Sequence, residues 1–248
     1  MLNVPRFHAA YQFTEVLAPG VAYLVKGSQA ENPELVVVVK VIYSGMAFER
    51  YGIAVQKHLE LKDMAPKYID CYTPHFEIPH LDNHPIERYY AMEYLPPPSN
   101  DSEGWMSLLD IEKKYRQTAL HFKENIKGAL HEIIDVLEEA QLVHGDLRPN
   151  NLFIKVKLTH DGCDILPRPS SELPYLKVID FDWAGEAGKV KYPPHRNPEV
   201  EWPGESGEPI SANDDRIMIK SWLSEWALAN GTVTGADRDG GRWRGEWW

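Results

Sequence analysis

The chain has 248 residues, of which 43% are apolar and 25% are charged, so it is long enough to bury a sizeable core in one large domain or two small lobes. Its formal net charge is −11 at pH 7, and because an acidic chain repels a phosphate backbone, we expect no nucleic-acid partner. The most apolar run, residues 35–39, is too short to span a bilayer and no secretory leader is evident, so we expect an intracellular, cytoplasmic protein with no membrane partner.

The first predicted elements are β-strands, within residues 11–43. Over residues 21–26, β-branched or aromatic side chains at 21, 23 and 25 alternate with other side chains at 22, 24 and 26. Residues 35–42 form a short run rich in β-branched residues, which is typical of a buried strand rather than a helix. Lys40 lies inside that run, where a charge needs a reason. The alternative is a lysine that snorkels from an edge strand.

A helix is predicted next, over residues 46–62, and further strands over 68–95. Three prolines follow at 96–98. Because proline can neither donate to a ladder nor continue a helix, we place a boundary there, between a first lobe at 11–95 and a second at 96–230. In the helix predicted over residues 46–62, the side chains expected to face the core are Phe48, Val55 and Leu59.

The second lobe contains the clearest predicted helix, over residues 115–140, because apolar residues recur there at intervals of three and four. These residues are Phe122, Ile126, Leu130, Ile133 and Leu137. A last helix is predicted over 214–229. Residues 231–248 are rich in Gly, Trp and charge and are predicted to form a disordered tail.

The strongest chemical signal is His-Gly-Asp-Leu-Arg-Pro-Asn-Asn at residues 144–151, which leads into a predicted strand at 152–154. A second strand, at 176–179, runs directly into Asp180 and an Asp-Phe-Asp sequence. Residues 161–174 lie between the two strands and are predicted to be a surface insertion, because they are rich in Pro, Ser and Asp.

The order of these features resembles the protein kinase superfamily over roughly residues 20–229: a strand lysine, a strand with a linker, a long helix, Asp-x-x-x-x-Asn, and a strand Asp. The chain is most similar to atypical, often fungal, kinase-like proteins and to aminoglycoside and choline phosphotransferases. Gly145 and Asp182 match the His-Gly-Asp and the acidic Asp-Phe-x variants of that branch. The resemblance implies an α+β, two-lobed fold with a β-rich first lobe and a mainly helical, shortened second lobe.

The same resemblance implies a phosphotransferase that uses ATP and Mg²⁺. Asp146 would orient the attacking hydroxyl and Arg148 would face the γ-phosphate, while Asn151 and Asp180 would hold Mg²⁺, which prefers oxygen ligands. One of the aspartates at 214–215 would brace the catalytic loop. Taken singly, each aspartate could instead cap a turn.

The resemblance also implies a nucleotide site. Lys40 would pair with the α- and β-phosphates, and backbone groups of Glu93 and Leu95 would bond the adenine edge beside Met92. The alternative for these last three residues is a plain buried strand.

The sequence departs from the kinase pattern in three places. The loop expected to cover the phosphates has one glycine, Gly20, where three are expected, so it would approach phosphates less closely. The helix after the strand lysine offers Ala54 where a glutamate is expected, with Glu49 and Glu60 flanking it. After the predicted last helix only residues 230–248 remain in this sequence, so we expect the further helices of a kinase's large lobe to be missing from it.

Several functions therefore stay open. The first is an active phosphotransferase acting on a protein hydroxyl, with a small-molecule hydroxyl nearly as well supported. The second is a pseudokinase, in which the fold serves as a binding or regulatory module, because ordered motifs do not prove turnover. The third is an unrelated α+β protein whose motifs coincide by chance.

Overall fold

The computed structural model describes residues 11–18, 22–29, 32–42, 51–72, 88–100, 102–160, 162–169 and 171–228. Its helices are α1 (Ile53–Glu60), α2 (Leu108–Lys114), α3 (Arg116–His121), α4 (Lys123–Glu139) and α5 (Ala212–Leu228). Its strands are β1 (Tyr11–Ala18), β2 (Ala22–Gln29), β3 (Asn32–Ile42), β4 (Tyr68–Tyr72), β5 (Arg88–Glu93), β6 (Glu103–Ser107), β7 (Leu142–Val143), β8 (Leu152–Thr159), β9 (Gly162–Ile165), β10 (Leu176–Val178) and β11 (Gly185–Glu186). The named strands pair antiparallel, and the α+β class predicted from the sequence is confirmed.

Backbone contacts divide the chain into two compact units. The first takes the described residues of 1–49 and 67–94 and contains a five-stranded sheet in the order β1-β2-β3-β5-β4. Strand β3 is its central strand, and the β-branched run predicted to be buried lies there, with Val37 and Val39 at most 1% exposed. The prediction of β-structure within residues 11–43 is confirmed for the described residues.

The second unit takes the described residues of 50–66 and 95–245 and contains all five helices. Helix α4 packs against α5 and against α1, while β8 pairs with β6, β9 and β10. The apolar stripe predicted from the sequence forms the inner face of α4. Its members Ile126, Leu130, Ile133 and Leu137 are at most 1% exposed.

The helix predicted over residues 115–140 is two helices. They separate at Phe122, whose backbone (φ −92°, ψ 8°) leaves the helical region. Its ring lies edge-on to the ring of His121, with centroids 4.9 Å apart. The period of apolar residues runs through this break because both helices bury one face, so periodicity alone could not locate it.

Two other predicted elements differ in extent. Helix α1 begins at Ile53, and the residue before it, Gly52, has a non-helical backbone (φ −74°, ψ 58°) and donates its N–H to the Phe181 carbonyl at 2.8 Å. The predicted residues 46–50 lie outside the described residues. The predicted surface insertion at 161–174 contains strand β9, which pairs with β8 and buries Cys163.

Some predictions fall outside the described residues: those on Gly20, Phe48 and Glu49 and the tail at 231–248. Among the described residues, no helix combines the length and apolarity that crossing a membrane requires. Neither Cys71 nor Cys163 forms a disulfide, and burial raises the pKa of the Cys163 thiol to about 11.

Candidate functional site

The His-Gly-Asp loop connects β7 to β8 in the second unit, and a carboxylate from α5 fixes its backbone. Asp215 accepts the N–H of His144 at 2.7 Å and the N–H of Gly145 at 2.9 Å. The sequence left two candidates for this brace, and the structure assigns it to Asp215. Its neighbour Asp214 instead caps the start of α5 by accepting the N–H and hydroxyl of Ser211.

Asp215, which braces the loop, is buried and only 3% exposed. Burial raises its pKa to about 7 and nearby Asp214 and Asp146 act in the same direction, while the two backbone N–H groups oppose the shift. The loop is also held from α5 at a second point, where the Trp222 indole donates to the Leu147 carbonyl at 3.0 Å.

The ring of His144 links this loop to the segment that carries Asp180. Its Nδ1 accepts the N–H of Asp146 at 3.2 Å, so its Nε2 carries the proton and donates to the Ile179 carbonyl at 3.1 Å. The ring also lies edge-on to Phe181, with centroids 5.2 Å apart. His144 is fully buried, so it acts as a structural connector between the two motifs.

Asp146 lies at the centre of a hydrogen-bonded cluster. Arg148 donates to its two carboxylate oxygens at 2.5 and 2.7 Å, and the amide of Asn151 donates to one of them at 2.9 Å. The Arg148 and Asp146 side chains are 12% and 8% exposed. Burial lowers the pKa of the guanidinium, but Asp146 and Asp180 outweigh it, so the pKa of Arg148 lies above its ordinary value.

Asn151 and Asp180 approach each other through the backbone. The N–H of Ile179 bonds the Asn151 carbonyl at 2.9 Å, which places the next residue, Asp180, beside the loop. Asp180 has a φ of 65°, a left-handed conformation that few non-glycine residues adopt. Such backbone conformations are over-represented at functional sites.

Asn151 and Asp180 carry the oxygen atoms that the sequence predicted as ligands of a magnesium ion. The Asn151 amide nitrogen donates both of its bonds to Asp146, so its oxygen, which accepts a bond from Asn150 at 3.1 Å, is the atom that could bind metal. Mg²⁺ commonly takes one or two carboxylates together with water and substrate phosphates, and Asp180 supplies one. No three His, Cys, Asp or Glu side chains converge into a metal cluster anywhere in the described ranges.

Gly145 is glycine for two separate physical reasons. Its φ of 79° is unfavourable for residues with a side chain. A Cβ there would also lie 2.9 Å from Ile210 Cδ1 and 3.2 Å from Trp183 Cβ. The Gly of His-Gly-Asp is therefore required by this local packing.

Sequence reasoning did not predict the aromatic wall beside Arg148. The guanidinium carbon of Arg148 lies 5.0 Å from the centre of the Trp202 ring, and Trp202 packs on Trp183 at 4.7 Å. Trp183 directly follows the Asp-Phe-Asp sequence, so its position could have predicted an aromatic side chain near the site. Trp202 lies in a segment without periodicity, so no pattern pointed to it.

The predicted nucleotide residues Lys40, Met92 and Glu93 lie in the first unit. Lys40 is 5% exposed on β3, which has a paired strand on each side. The alternative of a lysine snorkelling from an edge strand is therefore wrong. Met92 is 7% exposed on β5, within the same sheet.

Glu93 is partly committed to other bonds. Its N–H donates to the Lys67 carbonyl at 2.8 Å, and its carboxylate accepts the Lys67 N–H at 3.0 Å. The Glu93 N–H and carboxylate are therefore both already bonded within the first unit. Leu95 is half-buried in the linker that follows, and it belongs to the second unit.

Comparison with known proteins gives no assignment: no family model matches the chain, and no curated protein matches it.

Proposed function

We propose that the chain is a protein-kinase-like, two-lobed phosphotransferase that moves the γ-phosphate of ATP to a hydroxyl group. The observation that carries the proposal is the buried cluster of Asp146, Arg148 and Asn151 beside Asp180. This cluster supports the proposal because phosphoryl transfer requires a positioned carboxylate, a permanent cation and oxygen donors for a metal ion.

In the proposed reaction the acceptor oxygen forms a bond to the γ-phosphorus, the bond to the bridging oxygen breaks, and ADP leaves. Asp146 accepts the proton of the hydroxyl. Arg148 uses two N–H groups on Asp146, so its other donors remain for the phosphoryl oxygens. Mg²⁺, held by Asn151 and Asp180, would supply charge neutralisation at the phosphates.

The acceptor class follows from the resemblance and stays a prediction. A protein hydroxyl, as in Ser or Thr, is our first choice. A small-molecule hydroxyl is the alternative, because His-Gly-Asp and Asp-Phe-Asp occur in small-molecule kinases. The roles of Lys40, Met92, Glu93 and Leu95 toward ATP are likewise predictions.

A second candidate function is a pseudokinase that binds partners without turnover. The observation that favours it is that both carboxylate oxygens of Asp146 already accept strong, charge-assisted bonds from Arg148. With the Asn151 amide also donating to one of these oxygens, a substrate hydroxyl would have to share or displace an existing bond to reach the carboxylate.

ATP titration calorimetry with and without Mg²⁺ tests the nucleotide site, on the wild type and on Asp180→Ala. The matched control is Asp164→Ala, which removes an exposed aspartate on β9. We expect binding that requires Mg²⁺, is lost in Asp180→Ala and is kept in Asp164→Ala. Absence of binding by the wild type at millimolar ATP would overturn the proposal.

Transfer of radiolabelled phosphate then separates the two candidates. The acceptors are the protein itself, Ser/Thr peptides and a panel of hydroxyl metabolites. We expect transfer by the wild type and a loss of at least about a hundredfold in Asp146→Asn. Nucleotide binding without any transfer would favour the pseudokinase, and transfer that survives Asp146→Asn would rule out Asp146 as the base.

A further inference from the structure

Residues 192–208, which contain no helix or strand, fold on their own side chains. The two ends of this segment are joined, because Tyr192 donates its N–H to the Glu208 carbonyl at 3.0 Å. Within the segment, the indole of Trp202 donates to the Asn197 carbonyl at 2.9 Å. The indole is therefore held in a fixed place, although it lies on no regular element.

The Trp202 ring contacts both loops of the candidate site. The guanidinium carbon of Arg148 lies 5.0 Å from its centre, and the Trp183 ring packs on it with centroids 4.7 Å apart. Arg148 belongs to the loop of Asp146, and Trp183 follows the Asp-Phe-Asp sequence that begins at Asp180. One side chain outside both motifs thus touches the two loops that the proposed reaction uses.

A second guanidinium lies over the same ring. The guanidinium carbon of Arg196 is 5.9 Å from the centre of Trp202 and 5.2 Å from the centre of the Tyr192 ring. Arg196 is fixed there by a bond to the Gly204 carbonyl at 2.5 Å. Attraction between a cation and a ring face requires an aromatic side chain, and indole gives the strongest attraction. These contacts therefore favour a role for Trp202 that an aliphatic side chain of similar bulk would not fill.

Arg148 has N–H groups whose direction the Asp146 carboxylate does not fully determine. The two bonds to Asp146 use the Nε–H and one N–H of Nη2, which leaves three N–H groups for phosphoryl oxygens. A tilt of the guanidinium plane about these two bonds would redirect the remaining N–H groups while stretching neither bond. A ring packed against the guanidinium restrains that tilt.

We infer that Trp202 is a positioning residue, which holds the Arg148 guanidinium so that its remaining N–H groups face the transferred phosphoryl group. The catalytic consequence rests on the proposed function, whereas the restraint on Arg148 can be measured without turnover. A group that stabilises charge in the transition state acts on kcat rather than on nucleotide affinity. If Trp202 only filled space, its replacement would change stability and leave Arg148 in place.

NMR of the Arg148 Nε–H in the full chain tests the restraint. Its ¹H–¹⁵N signal is assigned by its absence in Arg148→Lys, and its exchange with water is compared between the wild type and two variants. We expect exchange to be at least about tenfold faster in Trp202→Leu, because the cation–π contact is lost. Exchange in Trp202→Phe should stay within about threefold of the wild type, because an aromatic face remains.

Trp105→Leu is the matched control for this measurement. Trp105 also contacts a cation, since the Lys177 Nζ lies 5.3 Å from the centre of its ring. Its loss should change exchange at Arg148 by less than about twofold, because a different cation loses its aromatic partner. Thermal melts followed by circular dichroism check that each variant is folded. Trp202→Met, whose flexible side chain fills gaps, replaces Trp202→Leu if the latter does not fold.

Steady-state kinetics of phosphate transfer test the catalytic consequence. We expect Trp202→Leu to lower kcat at least about tenfold and to change the KM for ATP less than about twofold, because a misplaced Arg148 acts in the transition state. Trp202→Phe should keep most of the wild-type rate. In an Arg148→Lys background, Trp202→Leu should lower kcat less than about twofold further, because the planar guanidinium is already absent.

The outcomes keep the restraint and the reaction apart. Unchanged exchange at Arg148 in folded Trp202→Leu, or an equal change in Trp105→Leu, would overturn the restraint. An equal loss of kcat with Arg148 and with Arg148→Lys would overturn the positioning role and leave Trp202 a structural residue. Absence of transfer by the wild type would overturn the proposed phosphotransferase, and the exchange measurement would then still decide whether Trp202 holds Arg148.

Discussion

Two arginines of the second unit hold a carboxylate in nearly the same geometry but in different surroundings. Arg148 donates to Asp146 at 2.5 and 2.7 Å, and Arg216 donates to Glu138 at 2.5 and 2.6 Å. The side chains of the first pair are 12% and 8% exposed, whereas those of the second are 41% and 33% exposed. Hydrogen-bond geometry is therefore matched, and burial is the variable.

The difference teaches how each pair should respond to mutation. Removing one member of a buried pair leaves the other as an uncompensated charge, so the cost is large. An exposed pair is solvated whether or not it forms, so its contribution is small. The buried pair lies in the loop of the candidate site, whereas the exposed pair of Arg216 and Glu138 connects α5 to α4.

The largest expected effect is in Arg148→Met. It should lower the free energy of unfolding by about 3 kcal/mol, because Asp146 then loses its buried partner. Urea unfolding followed by circular dichroism measures this loss. The double variant Asp146→Leu/Arg148→Met should recover part of the stability, since it leaves no unpaired charge in the pair. A double variant less stable than Arg148→Met would show that burial is not the deciding variable.

Asp215→Asn should come next, with a loss of about 2 kcal/mol, because the amide group can accept from only one of the two N–H donors that face the carboxylate. Urea unfolding measures this loss, and Asp164→Asn is the exposed control. Asp215 is buried and is held by backbone N–H groups rather than by an arginine. This variant therefore tests the effect of burial without breaking an ion pair.

The same variant should change the pH dependence of stability. The pKa of Asp215 is raised to about 7 from 3.8, so between these values the native state binds a proton that the unfolded state does not. This group therefore makes the free energy of unfolding fall as pH rises from about 4 to about 7, by at most about 1.4 kcal/mol per pH unit. Asp215→Asn should lose that slope, and an unchanged slope in the variant would contradict the assignment.

Gly145→Ala should have an effect comparable to that of Asp215→Asn, and it isolates packing around the site. Gly145 and Gly188 both have positive φ, 79° and 76°, but an added Cβ would meet Ile210 and Trp183 only at Gly145. Gly188→Ala should cost about 1 kcal/mol from backbone strain alone, and Gly145→Ala about 1–2 kcal/mol more from overpacking. Equal losses in thermal unfolding would show that the site tolerates extra volume.

How much of the fold and of the candidate site could be predicted from the sequence depends on how far apart in the chain the contacting residues lie. The stripe of α4 and the buried run around Lys40 follow from local period and composition, and both were predicted. The cluster of Asp146, Arg148 and Asn151 lies within one short loop, so a linear motif could propose it.

Features assembled from distant segments were harder to predict. Sequence reasoning did not identify the contact of Trp202 with Arg148 or the hydrogen bond from Trp222 to the Leu147 carbonyl. These features depend on how α4, α5 and the loops pack, and no local pattern encodes that. The brace from α5 was anticipated only as a choice between Asp214 and Asp215, because helix phase, not residue type, decides which one faces the loop.

The smallest effect should be that of Arg216→Ala, at most about 0.5–1 kcal/mol, since both partners remain solvated. The bond from Arg216 lowers the pKa of Glu138, so the pair contributes above the ordinary pKa of glutamate and its contribution is lost as pH falls. A double-mutant cycle with Glu138→Gln, at low and high salt, measures the coupling. Coupling that shrinks with salt and vanishes in acid supports solvation as the cause of the contrast with Arg148, whereas salt-independent coupling would show that geometry outweighs burial.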